Sequence, residues 1–352
     1  MRYILRLLIV FLLLFFVSNS NADKPYRVGT TAVNFLEIGF GGMVQGMGDA
    51  GVSSVNDISS IYWNPARMSY IEGNQVNFMS MPWIADIQIS NANVGVNLGR
   101  YGVLGVGYFE CDYGEMKVTT LEYQNGTGEH FTAKDYSIVV GYSRRITDWF
   151  AFGFNGKYIG SKIWHTSGGA FALDLGVSVQ TFFFSPTGLR QDGLNISMSI
   201  SNYGTRLRYM GMDLKQPIDL YPNENGNYAD TEGEFSTQYW ELPLMFRIGF
   251  SITPIVLKNH KVLLEVDALH PNNNSESVNI GLEYKYTVPH FGEFYIRTGY
   301  KGVFLVDSEY GLSYGLGLLY RLMGNRGIKI DYAYRDVGVF KGMHSYTVGF
   351  IF

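Results

Sequence analysis

Four histidines and one serine are the residues of this chain whose types could support catalysis. A hydrolase at a membrane surface needs a serine, a histidine and a carboxylate or amide close together. Ser167 follows His165 by two positions, and the other histidines of interest stand apart in the sequence: His130, His270 and His344. None of them belongs to a recognised catalytic motif, so we expect no catalytic residue and no metal or cofactor site. Hydrolysis at one rim of the molecule is the alternative hypothesis.

A glycine-rich segment and a single cysteine could suggest nucleotide binding or thiol chemistry. Gly46-Met-Gly-Asp-Ala-Gly51 fits the letters of the dinucleotide-binding fingerprint, which works only inside a βαβ unit. No such unit surrounds it, so we do not expect nucleotide binding. Cys111 is the only cysteine, which excludes an internal disulfide and favours a structural role. The net charge of −4 argues against nucleic acid as a partner.

The elements that must position these residues show the two-residue alternation of β-strands. In the last nine residues, small or polar side chains alternate with apolar ones at Tyr346, Val348, Phe350 and Phe352. Outer-membrane barrels need this alternation because lipid-facing and lumen-facing positions follow one another. We therefore expect these four residues to mark the strand through which a barrel assembles and closes. A large two-sheet sandwich is the alternative.

Counting such stretches predicts fourteen strands between residues 75 and 352, an even number that suits a closed barrel. The expected fold class is all-β, a 14-stranded antiparallel transmembrane β-barrel. The longest connections follow odd-numbered strands, as extracellular loops should. In the second strand the apolar face switches between Ile89 and Val94, which suggests a β-bulge at residues 90–93; a plain irregularity is the alternative. Charged residues expected to line the lumen are Lys157, Asp174, Arg247, Glu265, Asp267, Glu283, Lys285, Arg297, Lys329, Asp331 and Arg335.

The N-terminal part of the chain predicts an export signal and a plug. Arg2 and Arg6 precede an apolar run at residues 7–17, and Ser20-Asn21-Ala22 offers a signal-peptidase site. Residues 1–22 are therefore expected to be a secretory signal peptide. Residues 23–74 are rich in glycine and contain an Asn-Pro turn, which predicts a compact hatch or plug before a barrel at residues 75–352.

Two segments of this hatch resemble the N-terminal signature of PorV/PorQ-type outer-membrane proteins. Residues 42–50 resemble the pattern A-x-G-M-G-x-A, and residues 57–66 resemble A-I-Y-W-N-P-A-G. The chain departs from this pattern at Asp49 and at Arg67, where glycine is common. The resemblance implies an architecture similar to FadL-type transporters, in which the Asn-Pro-Ala element lies in the hatch; a purely turn-capping role is the alternative. The hatch motif so assigned comprises Gly46, Met47, Gly48, Tyr62, Trp63, Asn64, Pro65 and Ala66.

The resemblance implies one of two functions, neither of them enzymatic. A PorV-like protein would dock or shuttle secreted proteins in type IX secretion by binding their C-terminal domains, whereas a FadL-like channel would take up hydrophobic small molecules. Both imply the outer membrane of a Gram-negative-type bacterium, with membrane lipid and the barrel-assembly machinery as partners. Exposed apolar loops often mark docking sites, although they can also pack together as a lid. The extracellular docking candidates are Phe304, Leu305, Phe340, Met210 and Met212.

Overall fold

In the described residues, fourteen antiparallel strands form one sheet that closes on itself. The structure is a computed structural model that describes residues 27–223, 231–322, 326–340 and 342–352. The expected signal peptide, residues 1–22, lies outside the described residues. The barrel strands are β1 (Gln75–Pro82), β2 (Gln88–Asn97), β3 (Val103–Lys117), β4 (His130–Arg145), β5 (Phe150–Ile163), β6 (Thr166–Gln180), β7 (Asn195–Gly204), β8 (Met245–Val256), β9 (His260–Pro271), β10 (Ser277–Val288), β11 (Gly292–Val303), β12 (Leu312–Arg321), β13 (Gly327–Asp336) and β14 (Gly342–Ile351).

Strands β1 and β14 close the barrel. Gln75 lies opposite Ile351, and Asn74 and Phe352 exchange two backbone hydrogen bonds of 2.9 Å. Closure matters because a sheet edge in lipid would leave backbone groups without partners. The predicted 14-stranded closed barrel is therefore confirmed. The first strand of such barrels begins, and the last strand ends, at the periplasmic side, so the end that carries Gln75 and Phe352 is the periplasmic end.

Side chains alternate between the outer wall and the lumen. On β6, Phe171 and Leu173 are 65% and 54% exposed on the outer wall, whereas Asp174 is 1% exposed. On β14, Tyr346 and Phe350 likewise face outward. An apolar outer band of this kind is what lipid requires. The residues expected to line the lumen with charge are buried or half-buried inside the barrel, as predicted.

The bulge predicted in β2 is absent from the ladder. Strand β2 pairs without interruption with β1 and with β3, through the whole of residues 90–93. Ile89 is fully buried and faces the lumen, while Val94 and Val96 face outward. The prediction was wrong because it assumed that every apolar side chain faces lipid. The lumen has an apolar region of its own, and Ile89 packs there.

The connection between β7 and β8 is the longest loop, and part of it folds over the extracellular mouth. It contains short strands at Tyr209–Gly211, Lys215–Ile218 and Thr231–Glu234. Leu207 and Trp240 form a bridge within it, and Leu207 is fully buried. Leu242, three residues before the start of β8, is buried and belongs to the apolar cluster of the lumen.

The chain from residue 31 to residue 71 lies inside the barrel, and we call it the hatch. It contains a 3₁₀ turn (Asn34–Glu37), the helices α1 (Gly42–Gly46) and α2 (Ser60–Trp63), and a second 3₁₀ turn (Pro65–Tyr70). Helix α1 lies against β12 and β13, and the second turn lies against β4, β5 and β6. Within the described part of the chain, no helix is long and apolar enough to cross a membrane.

Candidate functional site

The Asn-Pro-Ala element begins the last turn of the hatch. The Asn64 side chain accepts a hydrogen bond from the Ala66 N–H at 3.0 Å, and Pro65 occupies the first position of the turn. This is the usual arrangement at a helix start. The Asn64 amide also donates to the carbonyl oxygens of Val52 at 3.2 Å and Val177 at 3.1 Å. Asn64 therefore ties two parts of the hatch to each other and to strand β6.

The Gly-x-Gly element of the hatch lies where two backbones touch. A Cβ atom on Gly46 would lie 2.8 Å from the Cα of Gly315 on β12. Gly48 has a φ of +68°, and a Cβ there would lie 2.5 Å from the Tyr300 backbone nitrogen. Only glycine tolerates both the positive φ and this approach. The fingerprint-like glycines thus serve packing against the barrel wall, and Met47 between them is fully buried.

One side of the hatch is fastened by ion pairs. Asp49 pairs with Lys301 at 2.7 Å and with Arg335, and Asp57 pairs with Lys329 at 2.5 Å. Burial alone would raise the pKa of the Asp49 carboxyl, but the charges of Arg335 and Lys301 outweigh it and hold that pKa below its usual range. Both departures of the chain from the family pattern are therefore accommodated, because Asp49 is paired and Arg67 donates to the Val55 carbonyl at 2.9 Å.

Two carboxylates of β9 hold the middle of the hatch through its backbone. Asp267 accepts hydrogen bonds from the N–H groups of Gly51 at 2.7 Å and Val52 at 3.0 Å. Glu265 accepts one from the Ser53 N–H at 2.6 Å. The sequence placed both carboxylates in the lumen. It gave no sign of these partners, because backbone N–H groups carry no sequence signature.

The opposite side of the hatch is apolar. Phe40 packs edge-on against Tyr62 at 5.0 Å and against Phe109 of β3 at 4.7 Å between ring centroids. The Trp63 indole N–H donates to the Phe40 carbonyl at 2.8 Å, so the polar end of this ring is satisfied. Leu207 and Leu242 of the longest loop close the cluster at the extracellular side. We call the side of the lumen that holds Asp49, Asp57 and Asp267 the charged half and the side around Phe40 the apolar half, and the hatch contacts both. Buried charge also occurs outside the charged half, since Lys157 of β5 and Asp174 of β6 form an ion pair at 2.7 Å.

The histidines do not form a common site. His165 contacts Asp213 at 2.9 Å, His270 contacts Glu276 at 3.0 Å, and His344 contacts the Tyr332 hydroxyl at 2.8 Å, each at a separate strand end. Residues 311–315 fit the letters of the G-x-S-x-G nucleophile elbow. However, its Ser313 lies fully buried on a barrel strand instead of at a strand-to-helix turn. Nothing in this geometry points to catalysis.

The extracellular docking candidates fall into two groups. Phe304 and Phe340 are exposed on the last two extracellular connections, which touch where the Gly311 N–H donates to the Asp336 carbonyl at 2.9 Å. Leu305, beside Phe304, is half-buried. Met210 and Met212 are exposed on the longest loop, whose strand Tyr209–Gly211 pairs with β6. The structure thus does not join all five residues into one surface.

Comparison with known proteins gives a family and a fold. A model of the family described as type IX secretion system protein PorV matches residues 19–220. No curated protein sequence matches significantly. Among solved structures, the Pseudomonas putida toluene transporter TodX has 10% sequence identity and a TM-score of 0.56, over 89% of this chain and 97% of that chain. The Ralstonia pickettii toluene transporter TbuX has 11% identity and a TM-score of 0.52, over 89% and 97%. A Pseudomonas aeruginosa FadL homologue has 10% identity and a TM-score of 0.51, over 88% and 96%. At these identities the structural likeness shows the fold alone.

Proposed function

Because the chain belongs to the family of the type IX secretion system protein PorV, we propose that it docks secreted proteins at its extracellular face. The protein would act in the outer membrane of a Gram-negative-type bacterium, without catalysis. Its clients would be recognised through their C-terminal domains, and docking would precede their transfer to surface attachment. The hatch would keep the barrel closed while this happens.

The observation that carries this proposal is the fastening of the hatch inside the lumen. Breaking one buried ion pair by removing a partner costs about 3–5 kcal/mol. The hatch has such pairs at Asp49 and at Asp57, besides the hydrogen bonds to Asp267. A route for small molecules through this half of the lumen would have to break several of them. Docking on the outside requires none of them to break.

The extracellular face supplies a surface that suits docking. Phe304 is 66% exposed and Phe340 is 54% exposed, and their two connections are in contact. Large exposed apolar side chains are costly in water and are typical centres of protein interfaces. Because the two connections are neighbours, one partner could contact both of them.

The second candidate function is uptake of hydrophobic small molecules. The apolar half of the lumen favours it, since Phe40, Tyr62 and Phe109 form a continuous cluster below the extracellular mouth. The solved structures similar in fold include proteins titled as toluene transporters. For this chain, uptake would require segment 31–40 to move away from Phe109.

Replacing Phe304 and Phe340 together by serine tests the two candidates. Docking predicts that client proteins accumulate in the periplasm and fail to reach the surface, while the barrel assembles normally. Phe235→Ser is the matched control, because Phe235 is an equally exposed extracellular aromatic on a different loop. Normal secretion in the double variant, combined with slower uptake of toluene by whole cells, would favour transport. Normal secretion and normal uptake would refute a role for this surface.

A further inference from the structure

The outer wall of the barrel carries a cleft at the extracellular end of β5 and β6. Its volume is about 760 Å³, in the range of ligand sites. The cleft lies where the loop strand Tyr209–Gly211 pairs with β6 and extends the wall beyond the end of β7. Residues that line it and carry the argument are Tyr158, Lys162, Trp164, Arg206, Arg208 and Met212.

Positive charge is concentrated at this cleft. Lys162 on β5 lies directly opposite Lys134 on β4, and both side chains are exposed on the outer wall. Like charges at directly opposite positions destabilise a sheet unless something neutralises them. On its other side Lys134 lies directly opposite Asp112 of β3, whose carboxylate accepts a hydrogen bond from the Gly114 N–H at 2.9 Å. Across the residues that the structure describes, no carboxylate lies within 4.0 Å of either ammonium group.

The two arginines of the cleft are incompletely paired. Arg206 contacts Glu241 at 3.1 Å, but both side chains are largely exposed, so this pair is weak. Arg208 reaches the Tyr239 and Ser236 hydroxyls only at 3.5 Å and 3.4 Å. Its Nε–H is buried and has no partner among the described residues. A buried donor without a protein partner is satisfied by an acceptor outside the chain, either a water molecule or a ligand atom. The Arg208 guanidinium also lies 5.4 Å from the centroid of the Tyr239 ring.

An aromatic row runs immediately below the charges. Tyr108, Tyr136, Tyr158 and Phe171 follow one another across β3 to β6, with neighbouring ring centroids 6.4, 6.3 and 5.2 Å apart. Such rows mark the membrane interface of outer-membrane barrels. Lys134 stands two residues beyond Tyr136 toward the extracellular side, a rise of about 7 Å. The cations therefore lie at headgroup level, and the apolar outer wall of β4 to β6 continues below them.

We propose that this cleft binds a phosphorylated glycolipid of the outer leaflet, a molecule of the lipid A type. Its phosphates would lie between Lys134, Lys162 and Arg208, and its acyl chains would lie along the exposed Phe171 and Leu173. The size of the cleft and the spread of its charges fit a phosphorylated disaccharide better than a single small phosphate group. The inference does not depend on the proposed docking of secreted proteins, since it uses a different surface.

Native mass spectrometry of the purified barrel in detergent, titrated with bisphosphorylated lipid A, tests this proposal. The wild type should bind one molecule, and K134Q/K162Q should bind it about 30-fold more weakly, because the loss of each charge should weaken binding about five- to sixfold. K134R/K162R should bind as the wild type does. The matched control is R100Q/R144Q, which removes two exposed charges from the periplasmic end of the same wall. Heat-modifiable migration would show that all variants are folded.

Three results would overturn the proposal. Equal affinity of the wild type and K134Q/K162Q would show that the lysines do not form the site. Equal affinity for dephosphorylated lipid A would show that the phosphates do not contribute to binding and that only the acyl chains bind, to the aromatic row. Displacement of lipid A by millimolar inorganic phosphate, or equal binding of phosphatidylglycerol, would indicate an unspecific anion patch.

Discussion

Replacing Asn64 by alanine tests whether the hatch is held closed by its Asn-Pro-Ala turn. The Asn64 side chain is fully buried and makes hydrogen bonds to the Ala66 N–H and to the carbonyls of Val52 and Val177. Alanine removes all three hydrogen bonds, so the buried Ala66 N–H and the buried Val52 carbonyl lose their partner in the Asn64 side chain. The barrel strands keep their own ladder, so the damage should be confined to the hatch.

The expected magnitude follows from the two stranded backbone groups. Each buried polar group left without a partner costs about 1–3 kcal/mol, so a total of about 3 kcal/mol is a moderate expectation. At 1.4 kcal/mol per factor of ten, local opening of the hatch should become about 100-fold more frequent. Amide hydrogen exchange measures this opening directly when closing is fast. We expect exchange of residues 52–66 to accelerate about 100-fold, with exchange in β10 to β13 unchanged.

Asn195→Ala is the matched control for this experiment. Asn195 is also a buried asparagine, but its amide donates to carbonyl oxygens of the periplasmic turn before β7, and it makes no hydrogen bond to the described part of the hatch. Asn195→Ala should leave amide hydrogen exchange of residues 52–66 at the wild-type rate. Single-channel recordings should show more frequent openings for Asn64→Ala alone. Wild-type exchange and wild-type recordings in Asn64→Ala would refute the reasoning, because the hatch would then be held by other contacts.

Two further predictions concern closure of the barrel and the charged half of the lumen. Phe352→Asp should prevent assembly, since it places a charge on the outward face of the closing strand; heat-modifiable, trypsin-resistant protein in the outer membrane would contradict this. Lys329→Met leaves the half-buried Asp57 carboxylate without its ion-pair partner and should destabilise hatch docking by about 3 kcal/mol, measured by exchange of residues 55–60. Adding Asp57→Asn should recover most of that loss. If the destabilisation of the double variant equals the sum of the destabilisations of the two single variants, the ion pair does not stabilise the hatch.

The sequence was sufficient to predict the barrel, because strands that cross a lipid bilayer must alternate lipid-facing and lumen-facing side chains. Once the last strand was predicted, its alternation placed Phe350 and Phe352 on the lipid-facing side. Counting the alternating segments gave fourteen strands, which is an even number. Ile89 shows the limit of this reasoning. An apolar residue in a barrel strand can face an apolar lumen, and which lumen positions are apolar depends on the hatch. That information lies in contacts between residues distant in sequence.

The hatch motif was recognised from its letters, but its physical role was not. The sequence excluded a dinucleotide-binding role for Gly46 and Gly48, because no βαβ unit surrounds them, but it did not show that they pack against the backbones at Gly315 and Tyr300. The docking candidates show the same limit. Met212 and Phe340 are both apolar and both extracellular, yet they belong to surfaces on strands that are not adjacent. Sequence alternation predicts the side of the wall a residue faces, but not which loops meet above it.

The division of the lumen into two halves separates the two candidate functions. The charged half fixes the hatch through Asp49, Asp57 and Asp267. Segment 31–40 has no ion pair among the described residues and is held by packing around Phe40 and by hydrogen bonds of Thr31 and Glu37 with Asn273. Packing against aromatic rings can be exchanged for packing against an apolar ligand at little net cost, but a broken buried ion pair cannot be replaced by such a ligand. Any uptake should therefore displace segment 31–40 and leave residues 49–57 in place. Docking of a protein on Phe304 and Phe340 should displace neither segment. Hydrogen exchange of these two segments, recorded with a bound client domain and with toluene, would distinguish the functions within one experiment.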